Sequence, residues 1–123
     1  MSRPTAAFKK ARSCYGHLAG EAGVALRKQL EAAGFIRQEG AAYRLTDAGR
    51  RWAESLALDV DDRHPEKYAR CCLDGTEKQW HVGGRLGVAM LARLLERQVV
   101  KPGAGRVLLC TDMVRLWQSL EVT

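Results

Sequence analysis

Between His17 and Arg37 apolar residues recur at helical spacing. Leu18, Ala22, Leu26, Leu30 and Ala33 share one face, and Gly34 follows as a stop. The spacing predicts a helix over 18–33. The pattern then changes to short apolar pieces, Phe35-Ile36 and Tyr43-x-Leu45, across a turn containing Gly40, which predicts a hairpin. Thr46, with Asp47 behind it, is a good N-cap for a helix reaching about Leu58. A second region runs in the same order. Leu86, Met90, Leu94 and Leu95 predict a helix over 82–97, and strands are expected at Val99-Val100 and Val107-Leu108-Leu109. Cys110 falls in the second of these strands and reads as core, and a last helix is expected after Thr111. Ahead of His17 the chain reads as helical, with Phe8 and Tyr15 on one face. A polar connector separates the regions, with Pro65 opening a short helix that carries Tyr68 and Cys72.

The two regions also match residue by residue. His17 aligns with His81, Gly20 with Gly84, Gly23-Val24-Ala25 with Gly87-Val88-Ala89, and Leu30 with Leu94. After one extra residue in the turn, Thr46-Asp47 aligns with Thr111-Asp112 and Trp52 with Trp117. Upstream, Ala11–Tyr15 matches Ala69–Leu73. So many matches in register indicate an internal repeat. The expected fold is a mainly helical α+β domain of two tandem degenerate winged-helix-like repeats, each helix, β-hairpin, helix, packed as one domain. Its units are an N-terminal helical segment (1–16), the first repeat (17–58), a connector with a short helix (59–80) and the second repeat (81–123). Leu26, Leu30, Trp52, Met90, Leu94 and Trp117 are the expected shared core.

Composition narrows the class. Of 123 residues, 46% are hydrophobic and 28% charged, the balance of a folded chain rather than a disordered one. No apolar run approaches the roughly 18 residues a membrane span needs. The charged N-terminus has no apolar stretch behind it such as an export signal requires, so the four cysteines read as reduced thiols in the cytoplasm. Twenty Lys and Arg against fourteen Asp and Glu permit a polyanionic partner without requiring one.

Leu18-Ala-x-x-x-Gly-Val is how many helix-turn-helix motifs begin. About three helical turns separate Gly23 from Gly34, too few for a turn and a whole recognition helix. The paired glycines Gly20/Gly23 and Gly84/Gly87 are therefore expected to serve close helix packing. Arg37, Arg44, Arg50 and Arg51 are the candidate phosphate contacts on the wing side.

The stretches ARSCYGHLAGEAGVAL (11–26), YRLTDAGRRW (43–52) and ARCCLDGTEKQWHVGGRLGVAML (69–91) together resemble the C-terminal half of a group of ArsR-type (arsenical-repressor) winged-helix regulators. The resemblance covers nearly all of the chain. It implies a cytoplasmic transcriptional regulator whose main DNA-binding domain lies upstream of these residues. Two positions depart from the group's pattern: Gly16 replaces its usual Asp, and Gly75 its usual Trp.

The repeated chemistry is Cys14-x-x-His17 and, with eight residues between, Cys72 and His81. If the halves pack about a pseudo-dyad, four soft or borderline ligands converge as a closed zinc site needs. The resemblance also implies metalloid sensing, for which Cys14, Cys71 and Cys72 are the thiolate candidates. The bland alternative is a structural cluster of buried cysteines and hydrogen-bonded histidines. Vicinal Cys71-Cys72 also leaves a redox sensor open. A Cys14–His17 nucleophile and base would need a third, orienting group, and Gly83–Gly87 lacks the strand and lysine of a phosphate loop, so no enzyme is expected. Three readings stay open: the effector or dimerisation region of a regulator, with a homodimer or an upstream domain as partner; a DNA-binding protein in its own right; and a metal, metalloid or thiol sensor, with zinc or another soft metal as cofactor.

Overall fold

The computed structural model describes residues 3–110 and 112–122. Helix α1 (Ala6–Lys10) leads into a hairpin of β1 (Arg12–Cys14) and β2 (His17–Ala19), then helix α2 (Gly20–Ala32). A second hairpin, β3 (Ile36–Glu39) with β4 (Ala42–Leu45), precedes helix α3 (Asp47–Ser55). The same order follows: α4 (Pro65–Tyr68), β5 (Cys71–Leu73), β6 (Trp80–Val82), α5 (Gly84–Glu96), β7 (Lys101–Pro102), β8 (Leu108–Leu109) and α6 (Met113–Ser119). The fold is α+β, and its described strands pair as antiparallel hairpins of two.

The helix and first-wing expectations hold to within three residues, α3 ending at Ser55 rather than near Leu58. α2 buries Ala22, Leu26 and Leu30, the stripe its sequence displays. Thr46 caps α3, its hydroxyl oxygen accepting from the N–H of Gly49. Gly49 has to be glycine, because a Cβ there would lie 1.9 Å from the carbonyl oxygen of Phe35. Both halves contribute to one apolar cluster that includes Leu26, Leu30, Trp52, Met90 and Leu94. Trp117 differs from expectation: it packs only partly buried against that cluster, and Leu116 takes the fully buried place.

Four expectations are corrected. The segment before His17 is helical only to Lys10 and then forms a hairpin. Its turn, Tyr15-Gly16, has φ of 51° and 86°, the double positive φ of a two-residue hairpin loop, and that local geometry overrides the helical spacing. Tyr15 therefore stands in solvent, 96% exposed, rather than on a helix face with Phe8. By the same correction Cys72 lies on strand β5, not on the short helix α4. In the second wing, Val100 is buried outside the strands, and pairing begins at Lys101 opposite Leu109. Cys110 is buried, as expected of core, but lies just beyond β8. Thr111 lies outside the described residues.

The halves cross over each other: β2 packs on α5, and β6 packs on α2. Glycines make the approach possible, though between helix and strand rather than helix and helix. A Cβ on Gly87 would lie 2.3 Å from the Val82 carbonyl oxygen and 2.9 Å from Cβ of His17. One on Gly23 would lie 2.4 Å from the Leu18 carbonyl oxygen and 3.4 Å from Cβ of His81.

Candidate metal centre

Each Cys–His pair is a cross-strand pair. Cys14 faces His17 across β1–β2, and Cys72 faces His81 across β5–β6. Directly opposed residues of an antiparallel pair project from the same face, so each hairpin offers one thiol and one imidazole together. Cys14 thus meets His17 across a hairpin, not on the helix expected ahead of His17. Contact between β2 and β6 then closes the set. One ligand atom from each of Cys14, His17, Cys72 and His81 lies within 4.8 Å of the others. At the centre, Nε2 of His17 and Nε2 of His81 are 3.0 Å apart. Tetrahedral zinc with bonds of about 2.0–2.1 Å to nitrogen would hold them about 3.3 Å apart, a small adjustment.

Burial sets the protonation states. It pushes His17 down to about 4, helped by the neighbouring His81. It also lowers His81, against the opposing pull of the Asp74 carboxylate. The Cys72 thiol is pushed up to about 11 by burial and then by Cys14 beside it. Without a metal the cluster is therefore held with neutral imidazoles and a protonated Cys72. Two thiolates and two neutral imidazoles would neutralise a divalent cation without burying net charge, and this donor set could hold zinc as a closed S2N2 site.

Asp74 anchors the arrangement from behind. It is fully buried, and its Oδ2 accepts from Nδ1 of His81 (3.0 Å) and from the N–H of Gly20 at the start of α2 (2.7 Å). Its Oδ1 accepts from the Arg12 guanidinium (2.8 Å) and from the N–H groups of Thr76 and Glu77. Burial by itself would raise this carboxyl. The N–H groups of Gly20, Glu77 and Thr76, and then Arg12, outweigh it and hold Asp74 well below the usual carboxylate range. A carboxylate on the far nitrogen fixes the ring orientation and the tautomer that leaves Nε2 free as a ligand.

The sequence thus brings its four candidate ligands to one place. The thiolate trio is not assembled. Strand residues alternate faces, so Cys71 turns away from Cys72 and lies buried beside Tyr43, where burial raises its thiol pKa. Of the wing arginines, Arg37 pairs with Glu39, Arg44 with Glu39 and Asp62, and Arg50 with Asp62; Arg51 is exposed on α3. Sequence reasoning missed Arg12 and the bracing role of Asp74. The available signal was the β5–β6 hairpin, whose turn begins at Asp74 and is four residues longer than the Tyr15-Gly16 turn.

The chain is similar to YdfF of Bacillus subtilis (strain 168), named as an uncharacterized HTH-type transcriptional regulator, with 36% identity over 90 residues. The alignment takes in 72% of this chain and 40% of that protein, so the chain spans less than half the length of this relative. That relative's name places it in transcription regulation, a non-enzymatic class. No family model matches the sequence, and no solved structure matches it.

Proposed function

We propose that this chain is the effector region of an HTH-type transcriptional regulator of the ArsR kind, and that Cys14, His17, Cys72 and His81 hold zinc or a similar borderline metal within it. The observation that carries the reading is the convergence of two cross-strand Cys–His pairs, one from each half, on one point, with both histidines buried and both cysteines half-buried. A metal there would tie the crossed halves together, and its gain or loss would change how firmly they are clamped. The likeness to YdfF supports the regulatory setting, and the matching order of elements supports two degenerate winged-helix-like units. α2 and α5 each lead straight into a hairpin, with no recognition helix between. That favours an upstream domain or a dimer partner as the reader of DNA. The reading is non-enzymatic: the histidines are engaged with each other and with Asp74.

Cobalt(II) titration of chelator-treated, reduced protein tests it. One equivalent should bind with a thiolate charge-transfer band and a tetrahedral ligand-field spectrum, and Cys72→Ser and His81→Gln should each lose it. Absence of stoichiometric uptake, or spectra unchanged in both variants, would overturn the reading.

A further inference from the structure

The matched residues around the centre are treated unequally. Asp74 sits on three groups: the Arg12 guanidinium and the N–H of Gly20 opening α2, both from the first half, and Nδ1 of His81 from its own. Each has a mate in the other half. Arg70 aligns with Arg12, Gly84 with Gly20 and His17 with His81. The backbone repeats the placement, since Arg12 lies opposite Ala19, next to Gly20, and Arg70 exchanges hydrogen bonds with Gly83, next to Gly84. Gly84 also shares the positive φ of Gly20, 69° against 78°. The carboxylate has no mate. The β1–β2 turn is only Tyr15-Gly16, which lies over Val88 of α5, whereas the β5–β6 turn has room for Asp74.

Arg70, Gly84 and His17 line one cleft of about 1150 Å³. Among the described residues the Arg70 side chain, the Gly84 N–H and Nδ1 of His17 have no acceptor or partner, although His17 is only 5% exposed. Tyr15, Leu73, Trp80 and Val88, all exposed large apolar residues, form much of the remaining wall. Lys67 and Arg85 add positive charge to it, against Glu66 alone. Such a combination of apolar wall and a few convergent polar groups suits a small amphipathic anion.

We propose that this cleft binds a monocarboxylate with an aromatic or branched aliphatic body, its carboxylate seated on Arg70 and the Gly84 N–H as Asp74 is seated on Arg12 and Gly20. His17 joins them in the metal-loaded chain, a part that rests on the metal reading above. Without metal, His81 gives its Nδ1–H to Asp74 and its Nε2 accepts from Nε2–H of His17, leaving Nδ1 of His17 a bare acceptor. Were His17 and His81 to hold a metal through the nitrogens that now face each other, the His17 proton would move to Nδ1, where it could donate to a carboxylate in the cleft that His17 lines. Carboxylate and metal should therefore favour each other's binding, by equal factors.

Calorimetric titration with 2-naphthoate and the neutral 2-naphthalenemethanol tests this, using metal-free and zinc-saturated protein. The naphthoate should bind the metal-free chain about tenfold more tightly than the alcohol, and Arg70→Gln, an exposed position, should remove that difference. Zinc should tighten naphthoate binding further. Equal affinity for the two probes, no naphthoate binding to either form, or an unaffected Arg70→Gln would overturn the proposal. Failure of zinc to bind at all would overturn the metal reading instead, with the naphthoate result on metal-free protein still deciding the carboxylate seat.

Discussion

Asp74 and Arg12 illustrate how few side chains hold the centre in shape. Both are buried, and each is the other's charge partner. Asp74→Ala would leave a buried guanidinium unpaired, the N–H of Gly20 without its acceptor and His81 free to rotate. We expect a loss of about 3–5 kcal/mol in urea unfolding, the usual cost of breaking one member of a buried pair. Replacing Arg12 and Asp74 together by apolar residues should cost less than Asp74→Ala alone, and a double-mutant cycle measures this. Gly87 is a second single-residue constraint. Gly87→Ala forces a methyl against backbone of β6 and against His17. It should destabilise by about 1–3 kcal/mol and weaken metal binding as well, because His17 must move.

At the scale of the element, the hairpins are what make the site. The helices were legible from sequence because Leu26 and Leu30, or Met90 and Leu94, mark a face that burial obeys. The ligand-bearing strands were not, since three residues each are too short to show alternation, and Ala11–Tyr15 fits a helix equally well. The four ligands could still be named, because a duplicated Cys and His stand out whatever element carries them. Asp74 could not be assigned its role, because only the fold puts its carboxylate beside His81, on the start of the other half's helix. The hairpin geometry also sets the pH dependence of metal uptake. The Cys72 proton, held up to about 11, competes with the metal, whereas His17, pushed down to about 4, is already neutral. Apparent zinc affinity should therefore rise between pH 6 and 8, by about tenfold per unit for each thiol proton displaced. Competition titration against a zinc chelator reads this directly; an affinity flat across that range would contradict it.

For the whole molecule, the ligands tie together halves that already share one core. A metal at a hundred times its dissociation constant would add about 2.7 kcal/mol, and the melting temperature should rise by roughly 10 °C. The basic balance of the chain is less telling. Arg37, Arg44 and Arg50 are already engaged with Glu39 and Asp62. We expect fluorescence anisotropy to show no micromolar binding of a random duplex at either about 50 mM or about 200 mM salt, whereas a phosphate-gripping surface would bind at the lower salt and release steeply at the higher.

The ligand set itself is the central claim, and X-ray absorption spectroscopy at the zinc edge of the stoichiometrically loaded chain tests it most directly. Two sulfur neighbours at about 2.3 Å and two nitrogens at about 2.0–2.1 Å are predicted, with one sulfur lost in Cys72→Ser. A first shell without sulfur, or one unchanged by that substitution, would contradict the account.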